Sequence, residues 1–169
     1  QHGEKIVDTF QYMVGDGAGL SALADLRITI EGANDVPVAR DDLDQLTVAK
    51  GTGAGSVAAV AALGVLHNDS DTDVTDILTV VGVKTPGAGT FSPVPGGGAD
   101  IQGKYGILHL ASDGSYTYTV TDTATTVKLG AGQTLNDSFD YSISDGHGGS
   151  ATAVLKIVIN GTNDTPVAV

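Results

Sequence analysis

Residues 8–39, DTFQYMVGDGAGLSALADLRITIEGANDVPVA, and residues 137–168, DSFDYSISDGHGGSATAVLKIVINGTNDTPVA, are two versions of one segment. They align without a gap at a single offset of 129 (137 − 8), and 18 of the 32 aligned positions are identical. Ordinary composition gives about two such identities by chance. Self-similarity at one fixed offset marks a tandem array. Residues 1–36 therefore read as the C-terminal hairpin of a preceding repeat with its linker, and residues 37–169 as one complete repeat. The start at Gln1 reads as a cut within something longer.

The repeated block carries its own strand pattern. Phe139, Tyr141 and Ile143 alternate with Asp140, Ser142 and Ser144, the period of a half-buried strand. Asp145-Gly146-His147-Gly148-Gly149 is a turn, and Leu155, Ile157 and Ile159 form the inward face of the returning strand. Val154, Lys156 and Val158 align with Asp25, Arg27 and Thr29, so that other face accepts charge. Upstream, YGILHLASDGSYTYTV is a second hairpin around Ser112-Asp113-Gly114. With LTVAKG, VAALGVL and ILTVVGV this makes about seven strands and no amphipathic helix. The expected fold is all-β, a β-sandwich of immunoglobulin-like character with Greek-key connections. Residues 85–104 and 121–136 fit no strand, and the first of these reads as a flexible Gly/Pro-rich insertion.

Composition narrows the function. Formal net charge is −12, which argues against nucleic acid, and no apolar run is long enough for membrane insertion. Cysteine is absent, which removes disulfides and thiolate metal sites. Of 20 acidic residues only Glu4 and Glu31 are Glu, leaving 18 Asp. Short carboxylates suit oxygen cages built close to the backbone, so the bias favours a hard cation.

Four motifs then stand in order: GVLHNDSDTDVTDILTV, the DGSYTY hairpin, the DGHGG turn and the closing GTNDTP. Together with the tandem copy they resemble the VCBS and cadherin-like repeats of large bacterial RTX-type surface adhesins, over most of residues 37–168. The resemblance implies a Ca²⁺-stiffened extender or adhesion module, extracellular or on the bacterial cell surface. Its partners would be adjacent repeats of the same chain and a surface glycan or protein receptor.

The acidic loop HNDSDTDVTD, residues 67–76, is not an EF-hand: counting from Asp69, position six is Val74 and position twelve is Val80. In a sandwich, however, that loop lies at the pole where the preceding linker enters and where the Asp145 turn sits. Ca²⁺ takes six to eight oxygens from carboxylates, amides and carbonyls. The expected junction site has Asp69, Asp71 and Asp73 as main ligands, with Asn34, Asp35, Asp41, Asp42 and Asp145 from the linker and neighbouring segments. Asp76 is read as a cap at the next strand. Asn163 and Asp164 would serve the following repeat, and Asp8 and Asp16 the preceding one.

No nucleophile–base or acid–base pair is evident, so an enzyme is not expected. Tyr105, Tyr116, Tyr118 and Tyr141 read as core or sheet-face residues rather than a sugar platform. The leading hairpin exposes Phe10, Tyr12, Leu26, Ile28 and Ile30, and a lone hairpin is marginal in water. It should be covered by its own chain, by a neighbour, or by exchange with the 137–159 hairpin in a swapped dimer.

Overall fold

A computed structural model describes residues 2–163. The leading repeat copy forms a hairpin of its own, β1 (Lys5–Gly15) against β2 (Ser21–Glu31), as a separate two-stranded sheet. A five-stranded sheet follows from β3 (Asp42–Thr47), β5 (Thr79–Lys84), β6 (Ser92–Pro93), β10 (Thr134–Ser144) and β11 (Ser150–Asn160). Facing it is a four-stranded sheet of β4 (Ser56–Ala59), β7 (Ala99–Gln102), β8 (Gly106–Leu110) and β9 (Tyr116–Val120). Their orders are β3-β11-β10-β5-β6 and β4-β9-β8-β7. β3 runs parallel to β11 and the other pairs are antiparallel. The chain crosses between sheets after β3, β4, β6 and β9, the Greek-key sandwich expected from the strand pattern.

Period-two burial builds the core. Along β8 and β9 alternate residues are buried, and Leu108, Leu110, Tyr116, Tyr118 and Val120 face Phe139, Tyr141, Ile143, Leu155, Ile157 and Ile159 from the opposite sheet. Tyr118 and Phe139 meet with ring centroids 6.0 Å apart. All four tyrosines of the repeat are buried, so they form no open sugar platform.

Three expectations need correction. VAALGVL is not one strand: β4 stops at Ala59, a 3₁₀ turn spans Ala61–Leu63, and Val65 enters the core. Close approach forces the bend, since a side chain on Gly64 would strike the Gly114 carbonyl, which also accepts the Val65 N–H at 3.0 Å. Residues 85–104 are not a structureless insertion, because they supply β6 and β7 and bury Val94. Pro93 is accommodated because β6 is an edge strand and needs no donor there. The sandwich thus has nine strands among the described residues rather than about seven. Finally, the 121–136 crossover contains one helical turn, α1 (Thr123–Thr126), capped by the Asp122 carboxylate, which accepts the Thr125 N–H at 3.2 Å.

β1–β2 reproduces the register of β10–β11 position for position: Phe10 opposes Leu26 as Phe139 opposes Leu155. Its surroundings differ, because every residue of β1 and β2 is exposed and none of the other described residues covers either face. Burial by the same chain is therefore not found among the described residues. The two phenylalanines make a matched test: Phe139 is 0% exposed and Phe10 49%. Phe139→Ala should cost about 3–5 kcal/mol in urea unfolding, while Phe10→Ala should stay within about 0.5 kcal/mol.

Candidate metal centre

The linker is stitched onto the acidic loop by backbone before any side chain is considered. Val38 and Ser70 form an antiparallel bridge, with N–H···O distances of 2.8 and 3.1 Å. Arg40 extends the seam: its N–H donates to Asp69 Oδ1 at 2.8 Å and its guanidinium to the Asn68 carbonyl at 2.6 Å. The Asn68 amide donates to the Asp41 carbonyl at 3.2 Å. At the Asp145 turn a side chain on Gly149 would strike both the Asp145 carboxylate and Pro37, so glycine lets the linker dock there.

Two groups of oxygens result. In the first, Asp71, Asp76 and Asp145 each offer a carboxylate oxygen, all within 4.8 Å of one another. Asn34 reaches in from the linker, its amide donating to Asp145 Oδ2 at 2.9 Å. Asp145 Oδ1 accepts the N–H groups of His147 at 2.7 Å and Gly149 at 3.0 Å. The Asn34 amide, joined by those two N–H groups, holds the Asp145 carboxyl below its ordinary pKa. Asp71 Oδ1 accepts the Asp73 N–H at 2.9 Å. Asp73, 0% exposed, anchors backbone: its oxygens accept the Asp35 N–H at 2.8 Å and the His2 N–H at 2.7 Å, which keep its pKa low. The Asp35 side chain is exposed, and its backbone makes the contact.

The second group lies at the start of β3. Asp42 Oδ2 accepts the Tyr141 hydroxyl at 2.9 Å, and Asp41 Oδ1 accepts the Val154 N–H at 3.0 Å. Burial pushes Asp42 up to about 6, against the Tyr141 hydroxyl, and the charge of Asp69 raises it further. Burial likewise raises Asp69, against the Arg40 N–H. The eight residues expected to form one cage are therefore divided, with Asn34, Asp71 and Asp145 in one group and Asp41, Asp42 and Asp69 in the other. Asp35 and Asp73 hold the linker in place.

Asp76, read from sequence as a strand cap, points into the first group with its side chain 2% exposed, and the His147 ring lies 3.0 Å from its Oδ2. The ring of His2 packs against that of His147 in a tilted arrangement, with centroids 4.2 Å apart. The loop spacing placed Asp76 one step beyond the alternating Asp69-Asp71-Asp73 series, and only the bend of residues 73–76, where the Asp76 N–H donates to the Asp73 carbonyl at 2.9 Å, turns it inward. Asp113 spends its carboxylate on Ser115, at 3.0 Å to N and 2.6 Å to Oγ. Asp164 lies outside the described residues.

The donor set can be tested against a hard cation. Buried side-chain polar atoms without a hydrogen-bond partner, among the described residues, are Asn34 Oδ1, Asn68 Oδ1, Asp69 Oδ2 and Asp71 Oδ2. All four are oxygens and all four lie at this pole. Buried acceptors left bare are costly, and a hard divalent cation is the species that satisfies oxygen without needing a proton. The residues present fit such an ion.

A nine-strand Greek-key sandwich among the described residues, with an oxygen-rich pole where its linker docks, defines the class of immunoglobulin/cadherin-like β-sandwich modules. Residues 34–161 match the bacterial cadherin-like domain family, and the chain belongs to that family. The chain is also 30% identical over 170 residues to the calcium-binding lectin RapA2 of Rhizobium johnstonii (strain DSM 114642 / LMG 32736 / 3841), covering 96% of this chain and 63% of that protein. Among solved structures, mouse cadherin-23 EC22–24 superposes with a TM-score of 0.41 at 14% identity, over 96% of this chain and 43% of that one. Family membership places the chain among structural and binding modules rather than enzymes.

The raised Asp42 pKa has a definite sign. The folded chain holds this proton more tightly than the ordinary value of 3.8 allows, so the penalty is absent below about pH 4 and grows as pH rises through about 6. In chelator, Asp42→Asn should raise stability at pH 7.5 by about 1–2 kcal/mol after allowance for solvent screening. The gain over wild type should vanish at pH 4, as thermal unfolding at both pH values will reveal.

Proposed function

We propose that the chain is an extracellular repeat module of a bacterial surface or secreted protein, stiffened by Ca²⁺ where one repeat meets the next. The observation that carries this reading is the set of four bare, buried oxygens at the pole where the linker docks. Asp71, Asp76, Asp145 and Asn34 are the residues to hold one ion, and Asp42, Asp69 and Asn68 surround a second oxygen-rich position. Without a cation, carboxylates on the linker and on the loop repel one another and the hinge loosens. With one, the two segments share ligands and the repeats are held in fixed relation. Millimolar calcium outside the cell saturates even a weak site, whereas cytosolic calcium does not. Residues 1–36 are read as the closing hairpin and linker of one repeat, and 37–169 as the next.

Calcium should raise the melting temperature relative to chelator. At a hundred times the dissociation constant the gain is about 2.7 kcal/mol, or roughly 5–10 °C for a domain of this size. Asp71→Ala should lose most of that shift, and magnesium should reproduce little of it. A melting temperature indifferent to calcium in both proteins would remove the proposal.

A second reading has support from the lectin relative. A cleft of about 580 Å³ beside the second oxygen group is lined by Asp42, Asp44, His67, Asn68 and Tyr116, among others. A glycan held there through an ion would make the module a calcium-dependent lectin. The extender reading expects no retention on a glycan array with or without calcium. Calcium-dependent retention abolished by Asp44→Asn would establish the lectin instead.

A further inference from the structure

The apolar face of β1–β2 carries two polar groups at fixed positions, Asp8 and Tyr12, and these restrict what can cover it. Their counterparts in the complete repeat are Asp137 and Tyr141, both buried. Asp137 lies in the middle of the core face opposite Ile157, just as Asp8 lies opposite Ile28. Apart from the Ser138 N–H of its own strand, at 3.2 Å from Oδ1, its donors come from the opposite side: Oδ1 accepts the Lys104 N–H at 3.0 Å, and Oδ2 accepts the Tyr105 N–H and the Tyr118 hydroxyl, both at 2.9 Å. The neighbouring Gly103 gives the approach its room, since a side chain there would run into the Asp137 carboxylate and the Phe139 ring. Tyr141 makes the opposite demand, its hydroxyl lying 2.9–3.1 Å from Asp42 Oδ2, the Arg40 carbonyl and the Val65 carbonyl.

Apart from Ser138, every one of these partners comes from residues 37–133, the part of the repeat that the closing hairpin covers. A body of that type offers three donors where Asp8 needs donors and three acceptors where Tyr12 needs an acceptor. A second β1–β2 face does not. Two such faces mated about a twofold axis would bury two carboxylates, and each could meet at most the other copy's Tyr12 hydroxyl, one donor in place of three. A buried carboxylate so poorly paired outweighs much of the gain from apolar contact.

We propose that the β1–β2 face is a docking surface for a repeat body of the 37–133 type, and that Asp8 and Tyr12 are the polar code that selects this partner and rejects a second copy of the hairpin. The proposal rests on the reading of residues 1–36 as a closing hairpin. It is independent of calcium, so all measurements are made in chelator and repeated in calcium, and loss of the calcium reading leaves it intact.

The test places a second copy of residues 37–129 directly ahead of residue 1, which brings β1–β2 to the register that β10–β11 occupies in its own repeat. In this tandem chain the amides of β1 and β2 should exchange about a hundredfold more slowly than in the 169-residue chain. Asp8→Asn should reverse about tenfold of that protection while leaving the melting temperature of the 169-residue chain unchanged. Sedimentation of the 169-residue chain should give a monomer, and Asp8→Leu should associate. Unchanged exchange in the tandem chain, or a leading body that stays unfolded while the second sandwich folds, overturns the proposal. So does a wild-type chain that self-associates as strongly as Asp8→Leu while the amides of β10 and β11 stay protected in their own sandwich, which excludes exchange of hairpins.

Discussion

An excess of oxygen acceptors over N–H and O–H donors at one pole of the sandwich is the constraint on which the rest of the molecule turns. Carboxylates only accept, and here they stand close together on a loop, a turn and a linker. The backbone supplies the donors it can: amides of His2, Asp35 and Arg40 are drawn onto Asp73 and Asp69, and this draws the linker down onto the loop. Four buried oxygens, Asn34 Oδ1, Asn68 Oδ1, Asp69 Oδ2 and Asp71 Oδ2, are left without a hydrogen-bond donor among the described residues. Linker geometry and the surplus of acceptors at this pole are therefore one fact seen from two sides.

That pole is wired to the core through Tyr141. Its ring is fully buried among the hydrophobic residues, while its hydroxyl reaches Asp42, where burial and the neighbouring Asp69 have already made ionisation unfavourable. A change in charge at the pole is thus felt by a residue in the middle of β10. At the other end of the same strand Asp137 does something different with similar chemistry, being fully served by amides and a tyrosine hydroxyl, and it needs nothing further. The same side chain is fully paired where donors are sufficient and leaves an oxygen bare where they are not.

Much of this was legible in sequence for a physical reason: alternation of Phe139, Tyr141 and Ile143 with polar residues reports a two-sided strand directly. The 129-residue offset also locates the linker, and in a sandwich that puts the acidic loop and the Asp145 turn at one pole. What escaped depends on approaches between distant segments. Gly64 bends the chain because Gly114 arrives beside it, and neither glycine announces the other. The 85–104 stretch has few strong strand formers, yet it pairs along open sheet edges, where a proline is tolerated. Asp76 looked like a cap because the turn over residues 73–76, which reverses its direction, is not encoded by a glycine or proline.

The two Asp-Gly turns carry a last consequence. Asp16 Oδ1 accepts the N–H groups of Ala18 at 2.8 Å and Leu20 at 3.0 Å, and Asp145 Oδ1 accepts those of His147 at 2.7 Å and Gly149 at 3.0 Å. One turn caps a bare hairpin and the other a packed sandwich, so the shape owes nothing to its surroundings. A carboxylate already aimed in an isolated turn loses little freedom when it is later recruited, and a gene that duplicates 129 codons copies that aim intact. Lengthening such a protein then requires no new solution to the problem of orienting this carboxylate, only another round of the old one.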